Sequence, residues 1–166
     1  NEGLSTVVTV ARNRVTGNIW LANNGKIDAS TTADMPTQVL VAHLPFLFLH
    51  ENARDSMLIG LASGITLGAL NLHPELQHIE VVELEPSMPA AASLFRNWNH
   101  DALGDPRVRL LANDGRNQVL LTEAHAMDLV VSEPSNPWLT GVANLFTREF
   151  FELGKSLDRK STRLNS

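Results

Sequence analysis

The hydrophobic pattern changes character near residue 34 and again near residue 56. Over 6–11, 18–22 and 26–29 short β-branched or alternating runs are separated by turn residues, and they read as three strands. Asn24-Gly25 joins the last two, a pair suited to the positive φ that both central positions of a tight hairpin turn require. Residues 34–49 read as a helix. Val39, Leu40, His43, Leu44 and Leu47 recur at helical spacing on one side. Asp34 can cap its start and Pro36 is tolerated in its first turn. Pro45 is expected to kink the helix or end it early.

From residue 56 apolar runs and helical stretches alternate. The pattern predicts strands over 57–60, 79–84, 108–112 and 129–132. Between and after them it predicts helices over 64–72, 87–98, 116–123 and 147–157, with Asp114 capping the third. Strands separated by helices imply a parallel sheet with right-handed crossovers. The expected fold class is therefore α/β, with a Rossmann-like domain over 34–157 behind a small β-hairpin subdomain over 1–33.

Composition narrows the field. A chain of 166 residues suggests one domain, and 43% hydrophobic residues can bury a core. There is no cysteine, which removes disulfides, thiolate metal sites and a cysteine nucleophile together and fits a reducing compartment. The longest apolar run, 39–49, is too short to span a bilayer. No signal peptide is visible, and because the chain starts at Asn1 without Met its natural N-terminus is expected to lie upstream. The last nine residues, 158–166, break the helical pattern and read as a tail translated from a sequencing adapter; they are set apart from the fold. Without them Lys+Arg falls from 13 to 10 and Asp+Glu from 18 to 17, so the net charge moves from −5 to −7. An acidic chain without a basic run argues against nucleic acid as a partner.

Four segments carry candidate chemistry. Gly60-Leu-Ala-Ser-Gly64 lies between the first parallel strand and its helix, where glycine lets backbone approach a ligand closely and helix N–H groups are free. Ala62 fills a slot where a dinucleotide fingerprint would place glycine, so an ordinary tight turn is the plain alternative. Glu83 lies 23 residues after Gly60 at a strand end, the position from which a Rossmann carboxylate holds the two ribose hydroxyls. Asp114-Gly115 closes the third strand. Asp114 can accept from an adenine amino group while also capping the next helix, and Gly115 is expected to leave room for the ring. Finally 132–138 (Ser-Glu-Pro-Ser-Asn-Pro-Trp) ends the fourth strand; either Glu133 is aimed at the reacting centre with Trp138 as a pocket wall, or this is a rigid loop whose polar groups only satisfy its own backbone. None of the six histidines (His43, His50, His73, His78, His100, His125) forms a ligand pair at helical spacing, so no metal is expected.

Taken together these segments resemble the spermidine synthase family, the polyamine aminopropyltransferases. The resemblance runs from about residue 3 to residue 157. It includes the hairpin, 37–45 (TQVLVAHLP), the glycine turn, 82–85 (VELE), 105–108 (DPRV), 113–115 (NDG), 132–138 and 144–146 (NLF). It implies a methyltransferase-type sheet that continues beyond the fourth strand, so that this strand is an edge here. It also implies decarboxylated S-adenosylmethionine as co-substrate, with S-adenosylmethionine or methylthioadenosine as related ligands of the same pocket. Gly60, Ala62, Ser63 and Gly64 would line its tail, Glu83 and Leu84 the ribose side, and Asp114 and Gly115 the adenine. Gln38, Glu133 and Asn136 would face a small-molecule amine, with Glu133 the catalytic base. The Glu-Pro-Ser-Asn-Pro-Trp version looks like a bacterial branch often fused to transporter-like membrane helices. A cytoplasmic location follows, at the inner face of the membrane where such a fusion exists, and a homodimer is a further expectation.

The amine side departs from the family pattern. Ser63 stands where the family usually carries an acid, Thr37 where it carries Tyr, Glu133 where it carries the catalytic Asp, and Asn136 where it carries a second Asp. A dication needs carboxylates to offset desolvation of each ammonium, so an altered acceptor is expected. Two other readings stay open: an S-adenosylmethionine-dependent methyltransferase, for which 136–138 (NPW) is a faint match, and a non-catalytic nucleotide-sensing module of a membrane protein.

Overall fold

The computed structural model describes residues 6–48, 53–133 and 142–158. Its first strands, β1 (Val8–Arg12), β2 (Ile19–Asn23) and β3 (Lys26–Ser30), form an antiparallel sheet in that order. The turn between β2 and β3 holds Asn24 at φ 50° and Gly25 at φ 82°, as its dipeptide requires. Ile19, Leu21 and Ala29 are buried and tie this sheet to the rest of the core.

Helix α1 (Met35–Phe48) follows. Pro45 lies inside it and does not end it early; the helix runs on to Phe48. Only one backbone donor is lost, close to the C-terminus, and packing of α1 against the next helix offsets that loss.

The parallel sheet consists of β4 (Asp55–Ile59), β5 (His78–Glu83), β6 (Val108–Ala112) and β7 (Leu129–Ser132), ordered β6-β5-β4-β7. Helix α2 (Ile65–Asn71) connects β4 to β5. The stretch expected as one helix over 87–98 is broken: α3 (Met88–Ala92), a 3-10 turn at Ser93–Phe95, then α4 (Arg96–Asn99). The Ser93 hydroxyl donates to the Ala90 carbonyl, and Phe95 leaves helical geometry at φ −99°, ψ 12°. Helix α5 (Gly115–Leu121) follows β6, and α6 (Arg148–Leu157) follows a 3-10 turn at Ala143–Phe146.

Alternation along the strands divides the core. Leu58 and Val81 face one cluster, with Leu67, Leu70 and Phe95 from the helices and Leu21 from the antiparallel sheet. Met57, Ile59 and Val82 face the other, with Val119, Phe150 and Leu157. The far end of α2 is clamped by Arg107, whose guanidinium donates to the carbonyls of Asn71 (2.7 Å), His73 (3.0 Å) and Leu76 (3.1 Å). Asp105 closes the clamp at 2.6 Å, and the hydrogen bonds between the two hold the Asp105 carboxyl below its usual range.

Strand β7 lies at one edge of the sheet. A cavity of about 470 Å³ runs beside it, lined in part by Met127, Leu129, Val130, Phe150 and Phe151. Asp158, grouped by sequence with the tail, makes a parallel backbone bridge to Met127; the remainder of 158–166 lies outside the described residues. Among the described residues no helix is long and apolar enough to cross a membrane.

Candidate functional site

The loops after β4, β5, β6 and β7 share one end of the sheet, because four parallel strands present their carboxyl ends together. The glycine turn lies between β4 and α2. Gly60 sits at φ 93°, Ala62 at φ 44° and Gly64 at φ 74°. Ala62 therefore occupies a left-handed position that favours glycine. A Cβ on Gly60 would come within 3.2 Å of the Glu133 carbonyl oxygen, which brings the end of β7 against the turn. Asn99 pins the turn from behind: its Nδ2 donates to the carbonyls of Ser63 (2.9 Å) and Ala92 (2.8 Å). α2 is only seven residues long and the Ser63 hydroxyl accepts from its first N–H at 3.3 Å, so the turn is suited to close backbone approach rather than to gripping an anion.

Glu83 ends β5 with its carboxylate fixed by two backbone donors. Oε2 accepts from Leu61 N at 2.9 Å and Oε1 from Glu85 N at 2.8 Å. Each oxygen has a further lone pair, so the group is oriented and can still accept from two adjacent hydroxyls. Leu84 beside it is 66% exposed, an open apolar surface at the same rim. At the end of β6, Asp114 Oδ1 accepts from Asn117 N at 2.9 Å and caps α5 as expected, which leaves its second oxygen for a ligand.

Gly115 has a packing role that the sequence does not show. A Cβ there would lie 2.5 Å from Ile59 Cγ2, so this glycine lets the start of α5 pack on β4.

The opposite side of the turn is a closed polar chain. Gln38 Nε2 donates to the Ser30 carbonyl at 3.1 Å, and Gln38 Oε1 accepts from the Ser63 hydroxyl at 2.5 Å. The Thr66 hydroxyl is 3.1 Å from the Gln38 carbonyl and also bonds Glu133 Oε2. Ser63 is 1% exposed, Gln38 and Thr66 4%. Burial pushes the Glu133 carboxyl above its ordinary value, and the Thr66 hydrogen bond opposes that shift. Ser63, Gln38 and Glu133 are thus linked in one hydrogen-bonded chain through Thr66. Asn136 and Trp138 lie outside the described residues.

Sequence reasoning missed Thr66 and Asn99. Thr66 carries no signal beyond being polar in an apolar helix, and Asn99 is one of several polar residues in a short run. The histidines held one surprise: His43 Nδ1 and His73 Nε2 are 2.8 Å apart, with Phe46 stacked on His73. Among the described residues no group of three histidines or acids is placed to hold a metal ion.

Residues 35–159 match the family model described as the spermine/spermidine synthase domain. A polyamine aminopropyltransferase of Klebsiella pneumoniae is 28% identical over 141 residues, covering 84% of this chain and 48% of the relative. One from Aeropyrum pernix is 24% identical over 159 residues, covering 94% and 50%. The chain thus spans about half the length of these relatives. Among solved structures, a spermidine synthase in complex with the transition-state analogue AdoDATO superposes with a TM-score of 0.85 at 20% identity, over 96% of this chain and 54% of that one. The spermidine synthase of Thermotoga maritima gives 0.82 at 21% identity, over 96% and 53%. Both share the fold.

Proposed function

The chain belongs to the spermine/spermidine synthase domain family, and from that premise we propose that it is the adenosyl-binding, base-carrying part of an aminopropyltransferase with an altered amine acceptor. The observation that carries this reading is a part-buried carboxyl, Glu133, set against the glycine turn on the same sheet end as the oriented carboxylate of Glu83.

Decarboxylated S-adenosylmethionine would supply a sulfonium whose neighbouring carbon is the electrophile and whose sulfur departs as a neutral thioether, methylthioadenosine. The residues present suit it. Glu83 has acceptor capacity for two ribose hydroxyls, Asp114 has one oxygen for an amino group, and the turn from Gly60 to Gly64 admits close approach. The attacking amine must be neutral. As its nitrogen bonds to carbon and the carbon–sulfur bond breaks, the Glu133 carboxylate would take the surplus proton. Holding nitrogen, carbon and sulfur in line would provide most of the acceleration.

The acceptor's far end meets neutral groups. Ser63 and Gln38 satisfy each other, so neither offers a carboxylate to a second ammonium. The proposed acceptor is therefore an amine other than the usual diamine. Incubating the protein with decarboxylated S-adenosylmethionine and a panel of amines tests this: methylthioadenosine and an aminopropylated amine should appear in equal amounts. Methyl transfer from S-adenosylmethionine, with no methylthioadenosine formed, would sink the reading.

A further inference from the structure

The Thr66 hydroxyl stands between two acceptors, the Gln38 carbonyl and Glu133 Oε2, and it has one proton to give. Both contacts cannot be donations from Thr66. When Glu133 is a carboxylate, Thr66 donates to it. When Glu133 is a carboxylic acid with its proton on Oε2, it donates to Thr66 Oγ1 and Thr66 donates onward to the Gln38 carbonyl. The Gln38 carbonyl is backbone within α1, so it tolerates either state.

We propose that Thr66 is a positioning residue for Glu133, one whose hydroxyl turns between Glu133 and the Gln38 carbonyl so that the carboxyl keeps a hydrogen-bond partner in both of its charge states. The proton count balances: the amine loses one proton, Glu133 gains it, and Thr66 ends with the proton it began with. If the proton is added to Oε2, a Thr66 hydroxyl that could not turn would be left facing a donor, and a partly buried polar group without a partner is unfavourable. Functional meaning rests on the reading of Glu133 as the proton acceptor; the contact itself does not.

After burial, the Thr66 hydrogen bond is the next influence on Glu133, and it acts in the opposite direction. Residues 56–72, covering nearly all of β4, the glycine turn and α2, contain no ionisable side chain, and neither do residues 35–42 of α1. His43, further along α1, is turned to His73. On the sheet, Glu83 is separated from Glu133 by β4, and its oxygens hold Leu61 N and Glu85 N. Asp114 lies a strand further away, at the end of β6, and caps α5; at the opposite end of the strands stand Asp55 and Asp128.

The test is titration of the Glu133 carboxyl by carbon-13 nuclear magnetic resonance in the free protein, with Glu133→Gln identifying its signal. Thr66→Val should move the midpoint upward by roughly half a unit to one unit, because the charged form loses the stronger bond. Thr66→Ser should restore it. An unchanged or lowered midpoint in Thr66→Val, or a serine variant that behaves like valine, would overturn the proposal. Thr66→Ala repeats the measurement without a branched side chain if the valine variant does not fold. No substrate is involved, so failure here is distinct from failure of the aminopropyl-transfer reading. In turnover, the acid limb of the pH profile should move up with the midpoint, whereas a purely structural role would lower the rate without moving that limb.

Discussion

The two sides of the glycine turn handle their carboxyl groups in opposite ways. Glu83 is oriented by main-chain N–H groups, beside a loop whose next side chain is largely open to solvent. Glu133 is part-buried and, among the described residues, bonds one hydroxyl, which belongs to a chain of neutral side chains. Backbone donors present a carboxylate as a fixed charged acceptor. Partial burial against a hydroxyl, which can both donate and accept, prepares a group to change charge. The first arrangement suits holding a ribose and the second suits moving a proton, although both begin from the same residue type at a strand end.

The largest effect should separate the two directly. Glu133→Gln should lower the aminopropyl-transfer rate by about a hundredfold to ten-thousandfold, with methylthioadenosine binding by calorimetry little changed; an equal loss in binding would mean the two sides are not distinct. A second measurement uses the same carboxyl. Its folded-state pKa is raised, so the native state keeps the proton to higher pH than the unfolded chain does. The associated stability is present below the unfolded-state value and is lost as pH rises through the folded-state value. Urea midpoints across that range should fall with pH more steeply in the parent than in Glu133→Gln.

Glu83→Ala comes next. Losing hydrogen bonds to a charged acceptor, about 1.5–3 kcal/mol, should weaken methylthioadenosine binding by about ten- to a hundredfold and leave the Glu133 titration where it was. Unchanged binding would remove the ribose assignment. The smallest effect is expected at the hinge between the two sides. Ala62→Gly relieves a left-handed alanine worth about 1–2 kcal/mol but frees the unfolded chain, so the net gain should be about 0.5–1 kcal/mol in urea unfolding.

Sequence patterns made one side far more legible than the other. Glu83 and Asp114 follow from knowing where strands end, and a strand end is read from apolar runs. The same reasoning located Glu133. The helix break at Phe95 and the survival of α1 past Pro45 depend on packing that no local pattern contains. Gly115 was visible, but its tight contact with Ile59, 56 positions earlier in the chain, was not. Thr66 and Asn99 were invisible because each acts through a partner distant in sequence, Glu133 and Ser63. Ser63 was visible as a departure from a family pattern, yet its pairing with Gln38 required coordinates.

The stretch without ionisable side chains has one more consequence. In a region that contributes no fixed countercharge, an arriving cation is felt with little competition, since nearby opposite charge favours the ionised carboxyl. A ligand carrying positive charge would therefore do more than occupy the space beside Glu133. It would favour the ionised form of that carboxyl, the form that can accept a proton.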